Sequence, residues 1–128
     1  MPRYIIDSSA WIEYLDGSTK GAEVKEIIEK NECFTSSLSI AEVTIKILKS
    51  DMDPQDAYAT MTMLSRELPV TSEIAYAAGR LYVEERKRIK DIGIVDVFIM
   101  VHAKKNNLVI LTGDVNHFKE RKNVHLIK

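Results

Sequence analysis

At 128 residues, 45% hydrophobic and 29% charged, the chain has the size and composition of a single globular domain, residues 1–128, with its own hydrophobic core. Its lone cysteine, Cys33, excludes an internal disulfide and fits a reducing cytoplasm, and no apolar stretch nears the ~20 residues of a membrane span, so no membrane partner is expected. No secretory h-region is visible at the N-terminus, and the net charge of -1 conceals -6 over residues 1–84 and +5 over residues 85–128.

The predicted elements alternate. Arg3–Ile6 reads as a short apolar strand closed by Asp7, followed by a helix over Ser8–Leu15 that breaks near Asp16-Gly17. Gly21–Lys30 carries Val24, Ile27 and Ile28 on one stripe of a second helix, and Cys33–Thr35 is a second strand with Cys33 as small core filler. A helix over Leu38–Lys49 follows. Asp53-Pro54 then supplies an N-cap and a first-turn proline to a helix ending near Arg66. Leu68–Val70 is expected as a third strand, at a sheet edge because Pro69 cannot donate to a ladder. Ser72–Lys87 is a long amphipathic helix, Ile94–Lys105 a helix apolar nearly all round, Leu108–Leu111 the clearest buried strand and Val124–Ile127 the last one. Continuous apolar strands alternating with helices predict an α/β fold with a parallel sheet covered on both faces. Ligand sites in such sheets lie beyond the carboxyl ends of the strands, where strand order reverses.

Four acids occupy telling places: Asp7 and Asp114 just after apolar strands, Glu42 on a helix and Asp96 within the most apolar helix. If they converge they repel, and a divalent cation is the usual remedy. Each has a bland reading. Asp7 can cap the following helix, Glu42 lies at the border of an apolar face with Lys46 four residues on, and Asp114 or Asn116 can cap a helical turn through Phe118. Asp96 is the strongest single signal, because burying an unpaired carboxylate costs several kcal/mol. Its alternative is an N-cap with the helix starting at Val97. Ser9 and Thr112 each stand two residues from an acid, placed to orient a carboxylate, to cap or to turn.

The three histidines have no ligand spacing, and His102 faces away from Asp96 on the helix; His117 is near enough to Asp114 to reach a substrate. Trp11, Tyr14 and Phe118 read as packing residues. Basic runs at 85–90, 104–105 and 119–122 are solvated faces or a track for a polyanion.

Taken together, IIDSSAW, SIAEV, IVDVFIMVHA and LTGDVNHF resemble the motif set of the PIN-domain ribonucleases, and at this length the VapC-type toxins of toxin–antitoxin pairs. The resemblance covers essentially the whole chain. It implies a three-layer fold with a five-stranded parallel sheet and a Mg²⁺- or Mn²⁺-dependent endoribonuclease. Asp7, Glu42, Asp96 and Asp114 would be catalytic metal ligands, supported by Ser9 and Thr112. It further implies a homodimer in the cytoplasm, held inactive by a small antitoxin, with Lys87, Arg88, Lys90, Lys119, Arg121 and Lys122 flanking the groove for RNA phosphates. Two departures stand out. Many members carry another acid where this chain has Asn116, which ligates only through a neutral carbonyl, and Asp91 in IKDIG is left without a role. Phosphotransfer folds fit less well, since the first strand leads into D-x-S rather than D-x-D or an acidic pair. A degenerate PIN-like module that binds RNA or protein without cutting is the remaining alternative.

Overall fold

The structure, a computed structural model, describes residues 2–118 and 121–128. Strand β1 (Tyr4–Ile6) leads into α1 (Ser8–Asp16) and α2 (Thr19–Lys30), then β2 (Cys33–Ser36), α3 (Ser37–Leu48) and α4 (Pro54–Leu64). The second half runs β3 (Arg66–Leu68), α5 (Ser72–Arg88), α6 (Ile94–Asn106), β4 (Val109–Thr112), α7 (Val115–Phe118) and β5 (Val124–Leu126). All strand pairs are parallel, in the order β3-β2-β1-β4-β5.

Strand geometry divides the core. Successive side chains point to opposite faces of a sheet. Tyr4 and Ile6 therefore enter one apolar cluster with Trp11, Val24, Val43 and Met61 from α1 to α4. Ile5 enters the other with Ile74, Ala78, Ile99 and Met100 from α5 and α6. The fold is thus the expected three-layer α/β sandwich. Trp11, fully buried, gives its indole N–H to Thr35 Oγ1 at 3.0 Å, and Cys33 is buried in β2. Among the described residues no helix is long and apolar enough to cross a membrane.

Local signals explain where elements start and stop. Gly17 ends α1 with φ 68°, the left-handed conformation glycine adopts at no steric cost. Asp53 caps α4 through Gln55 N, as its Asp-Pro pair predicts. Two boundaries differ from expectation. Helix α2 begins two residues before Gly21, because Ser18 accepts Gly21 N and caps it earlier. Strand β3 lies at Arg66–Leu68 rather than Leu68–Val70, since α4 closes at Leu64 and Pro69 ends the ladder instead of sitting in it. Beside β1, the order turns from β2-β3 on one side to β4-β5 on the other, which makes the crevice beyond the ends of β1 and β4 the switch point.

Candidate active site

Asp7 follows β1 and is 3% exposed. Its backbone carbonyl starts α1 by accepting from Ala10 and Trp11, but its carboxylate makes no cap bond, so the capping reading does not describe the side chain. Instead Ser9 Oγ and Thr112 Oγ1 both donate to Asp7 Oδ2, at 2.9 and 2.8 Å. Each hydroxyl also accepts a backbone amide from the β4 loop: Gly113 N to Ser9 at 3.0 Å, Asp114 N to Thr112 at 2.9 Å. A hydroxyl has one proton to give and lone pairs to spare, and both are used here. The D-x-S and T-x-D segments are thereby stitched together across β1 and β4.

Asp114 has a double role. Oδ1 accepts His117 N at 3.0 Å and so caps α7, which is the turn reading; Oδ2 lies 2.7 Å from His117 Nδ1, which it shares with Asp96 Oδ2 at 3.2 Å. Asp96 is not an N-cap. Helix α6 starts at Ile94 after Gly93, and Asp96 Oδ2 accepts Gly93 N at 3.0 Å from the third position, with the side chain 19% exposed rather than sealed in the core. Glu42 comes from α3, where Ser8 Oγ donates to Oε1 at 2.9 Å; that bond, not the surface pair with Lys46, positions it.

The acids act on one another electrostatically. Burial pushes the Asp7 carboxyl up despite the Thr112 and Ser9 bonds, with Asp114 adding repulsion. Burial also raises Glu42, against the Ser8 bond and with Asp7 contributing. Asp96 is pushed up to about 6 by burial, against the Gly93 bond, with Asp7 and Asp114 adding to it. Burial works against the His117 imidazolium, but Asp96 and Asp114 outweigh it and hold the pKa above the usual histidine value. Asp96, Asp114 and His117 place potential ligand atoms within 4.8 Å of one another.

The remaining expected residues are dispersed. Asn116 is exposed on α7 and makes none of the described bonds to the cluster. Lys87 pairs with Glu84 at 3.4 Å, Arg88 with Glu85 at 3.3 Å, and Arg121 also binds Glu85. Lys90 and Lys122 are exposed, and Lys119 lies outside the described residues. His102 is 1% exposed in the α6 core and its Nε2 has no hydrogen-bond partner among the described residues. Sequence reasoning gave Ser8 and Asp91 no role and placed His117 only within reach of a substrate; Ser8 holds Glu42, and Asp91 Oδ1 is 3.3 Å from His117 Nε2. The Asp114–His117 spacing of three residues on one turn was the available signal for the histidine. A groove of about 520 Å³ beside the acids is lined by Ser8, Ile12, Lys20, Glu42, Ile45 and Asp114, among others.

The PIN domain family profile matches residues 4–123. No curated protein matches significantly. Among solved structures the chain is similar to one in a toxin–antitoxin complex from Klebsiella pneumoniae, with TM-score 0.78, 17% identity and 98% of each chain covered. It is also similar to a chain of VapBC2 from Rickettsia felis bound to a DNA fragment from their promoter, with TM-score 0.74, 19% identity, and 97% of this chain and 96% of that one covered. A third is VapC20 from Mycobacterium tuberculosis, a sarcin–ricin loop cleaving toxin, with TM-score 0.73, 16% identity, and 89% and 92% covered. At these identities the likeness is one of fold.

Proposed function

The chain belongs to the PIN domain family, and on that footing we propose that it is a divalent-metal-dependent endoribonuclease, the toxin component of a toxin–antitoxin pair. The observation that supports this reading is that Asp7, Asp96 and Asp114 repel one another near the switch point of the sheet and that Asp7 acts on Glu42, the neighbouring Ser8 and Ser9 being bonded to Glu42 and Asp7. The donor set fits Mg²⁺ or Mn²⁺, hard ions that select carboxylate oxygens. Two like charges 4 Å apart repel by about 4 kcal/mol at an effective dielectric of 20, so a site built this way calls for a cation. Asp7, Glu42, Asp96 and Asp114 would hold it. When bound, such an ion activates water near neutral pH and stabilises charge on the phosphoryl oxygens.

The chain's own residues supply the positioning. Ser9 and Thr112 fix the Asp7 carboxylate, Ser8 fixes Glu42, and the Gly93 amide fixes Asp96. The reaction is in-line attack of water on an RNA phosphodiester, which breaks one P–O bond and leaves no covalent enzyme intermediate. Exposed Lys87, Lys90 and Lys122, on the basic half of the chain, favour a polyanionic substrate. The groove beside the acids joins Ile12 and Ile45 to Glu42 and Asp114, which suits an antitoxin segment presenting a basic side chain next to an apolar one. The toxin–antitoxin complexes among the structural neighbours support such a partner. Exposed Leu48, Tyr58 and Met63 on α3 and α4 offer apolar surface for a second copy, in line with a cytoplasmic homodimer.

The test is incubation of purified protein with mixed RNA, with and without Mn²⁺. Cleavage is expected only with the ion, and Asp7→Asn should lower it by at least about 100-fold. RNA binding without cleavage would favour the degenerate-module reading instead. Cleavage that survives in Asp7→Asn would remove this site from the chemistry.

A further inference from the structure

His117 stands where three carboxylates meet. Its Nδ1 is 2.7 Å from Asp114 Oδ2 and 3.2 Å from Asp96 Oδ2, and its Nε2 is 3.3 Å from Asp91 Oδ1. One ring nitrogen facing two carboxylate oxygens is a poor hydrogen-bond arrangement. A protonated Nδ1 has a single hydrogen, directed along one line in the ring plane, and serves one oxygen well at most. An unprotonated Nδ1 turns its lone pair towards two anions. Three electron-pair donors converging within 4.8 Å are instead what a shared cation needs.

The far side of the ring carries independent weight. A metal-ligating histidine almost always directs its other ring nitrogen at a carboxylate, which fixes the tautomer and raises the basicity of the ligating nitrogen. Asp91 Oδ1 lies 3.3 Å from Nε2 without a hydrogen bond to it, so Nε2 is a buried nitrogen that faces a carboxylate and, among the described residues, has no hydrogen-bond partner. The Asp91 side chain is 80% exposed, free to align with Nε2. The loop that carries it is anchored next door by Ile92, which is 2% exposed. On the other flank, α7 is held by the Asp114 cap and by fully buried Phe118, so the ring is delivered at a set place rather than from a loose segment.

We propose that His117 is a nitrogen ligand of the cation held by Asp96 and Asp114, backed by Asp91, and that this mixed set favours Mn²⁺ and Co²⁺ over Mg²⁺. The inference rests on the cluster being a metal site. Mg²⁺ demands near-octahedral oxygen coordination and gives up water reluctantly, whereas imidazole suits first-row transition ions, with affinity rising from Mn²⁺ to Co²⁺. The four acids alone describe a site indifferent to this distinction. One nitrogen donor supplies the bias.

The experiment is pulsed electron paramagnetic resonance of Mn²⁺ bound to the purified protein, with and without ¹⁵N-histidine labelling, beside titrations of Mn²⁺, Co²⁺ and Mg²⁺. Wild-type protein should show histidine nitrogen coupling to the bound ion, and His102→Ala should keep it. In His117→Gln the coupling should vanish and Mn²⁺ affinity fall by about 10- to 100-fold, while Mg²⁺ affinity changes by no more than about 3-fold. Asp91→Asn should weaken Mn²⁺ by about 10-fold with the coupling retained. Bound Mn²⁺ without nitrogen coupling in wild-type protein overturns the assignment and needs no variant to fold. So does an equal loss of Mn²⁺ and Mg²⁺ affinity in His117→Gln. RNA cleavage on the same samples separates this inference from the one beneath it. Coupling without cleavage keeps the ligand and removes the nuclease; Mg²⁺-dependent cleavage without coupling does the reverse.

Discussion

Asp7 and Asp96 are both acids that burial drives towards the neutral form, yet only one is tied down by side-chain hydroxyls. Asp96 keeps a single backbone bond from Gly93 and is partly exposed. Its pKa in the fold is about 6 against an ordinary value of 3.8, so the folded state holds the proton more tightly than the unfolded one. The stability this contributes is complete below pH 3.8 and is lost as pH rises through about 6. His117, also raised, has the same sign: its contribution is present below 6.5 and lost above that as the imidazolium deprotonates. Asp96→Asn resembles the protonated carboxyl at every pH. In metal-free protein the variant should therefore exceed wild type in melting temperature above pH 6, with the gap closing towards pH 4. A gap that is constant across pH would mean that Asp96 is no more strained than a surface carboxylate. The four acids were legible because each sits against a hydrophobic run, where a charge needs a reason. The approach of Asp91 to His117 was not, since it depends on the loop before α6 folding onto α7, a contact between segments more than twenty residues apart. Ser9 and Thr112 fell between: their spacing was visible, but that they share one carboxylate oxygen was not.

At the scale of elements, the register of α1 against α2 holds the site's first segment in place. Gly21 sits where a Cβ would come within 2.1 Å of the Glu13 backbone carbonyl, so nothing larger fits without separating the two helices. Gly79, exposed on α5, has nothing within 4 Å of the same position. The two glycines should respond oppositely to alanine. Gly21→Ala is expected to destabilise by about 3 kcal/mol through overpacking, and Gly79→Ala to stabilise by about 0.5–1 kcal/mol through helix propensity and a less free unfolded chain. Urea midpoints measured at constant slope check both. Because Ser8 and Ser9 form the first turn of α1, Gly21→Ala should also blunt whatever the acids do, and Gly79→Ala should not. Element types read correctly from periodicity, and their ends less so. Helix α2 started early because a serine two residues upstream of the visible stripe could cap it, and β3 moved because pairing with Phe34 to Ser36 outranked the apolar look of Leu68–Val70.

Across the whole molecule, the acids arrive from different layers. Asp7 follows β1, Glu42 rides on α3 on one side of the sheet, Asp96 rides on α6 on the other, and Asp114 follows β4. Parallel strands were foreseeable from continuous apolar runs, but the order β3-β2-β1-β4-β5 was not, because it follows from how the crossover helices pack rather than from any one segment. In the proposed site that order brings carboxylates from separate segments to one seam between layers. A cation bound there would act as a cross-link that the unfolded chain cannot reproduce. Linkage then sets the size of the effect: at one hundred times its dissociation constant a ligand of the native state adds about 2.7 kcal/mol. For a domain of this length that corresponds to roughly 10 °C in melting temperature. Calorimetry with Mn²⁺ should show that rise in wild-type protein and lose most of it in Asp96→Asn, which removes a ligand and the repulsion together. The comparison matters more than the rise alone, because an ion bound to exposed surface acids would stabilise both proteins alike. A melting temperature indifferent to Mn²⁺ in wild type would mean that the layers meet without sharing an ion, and the seam would then be a feature of packing and not of chemistry.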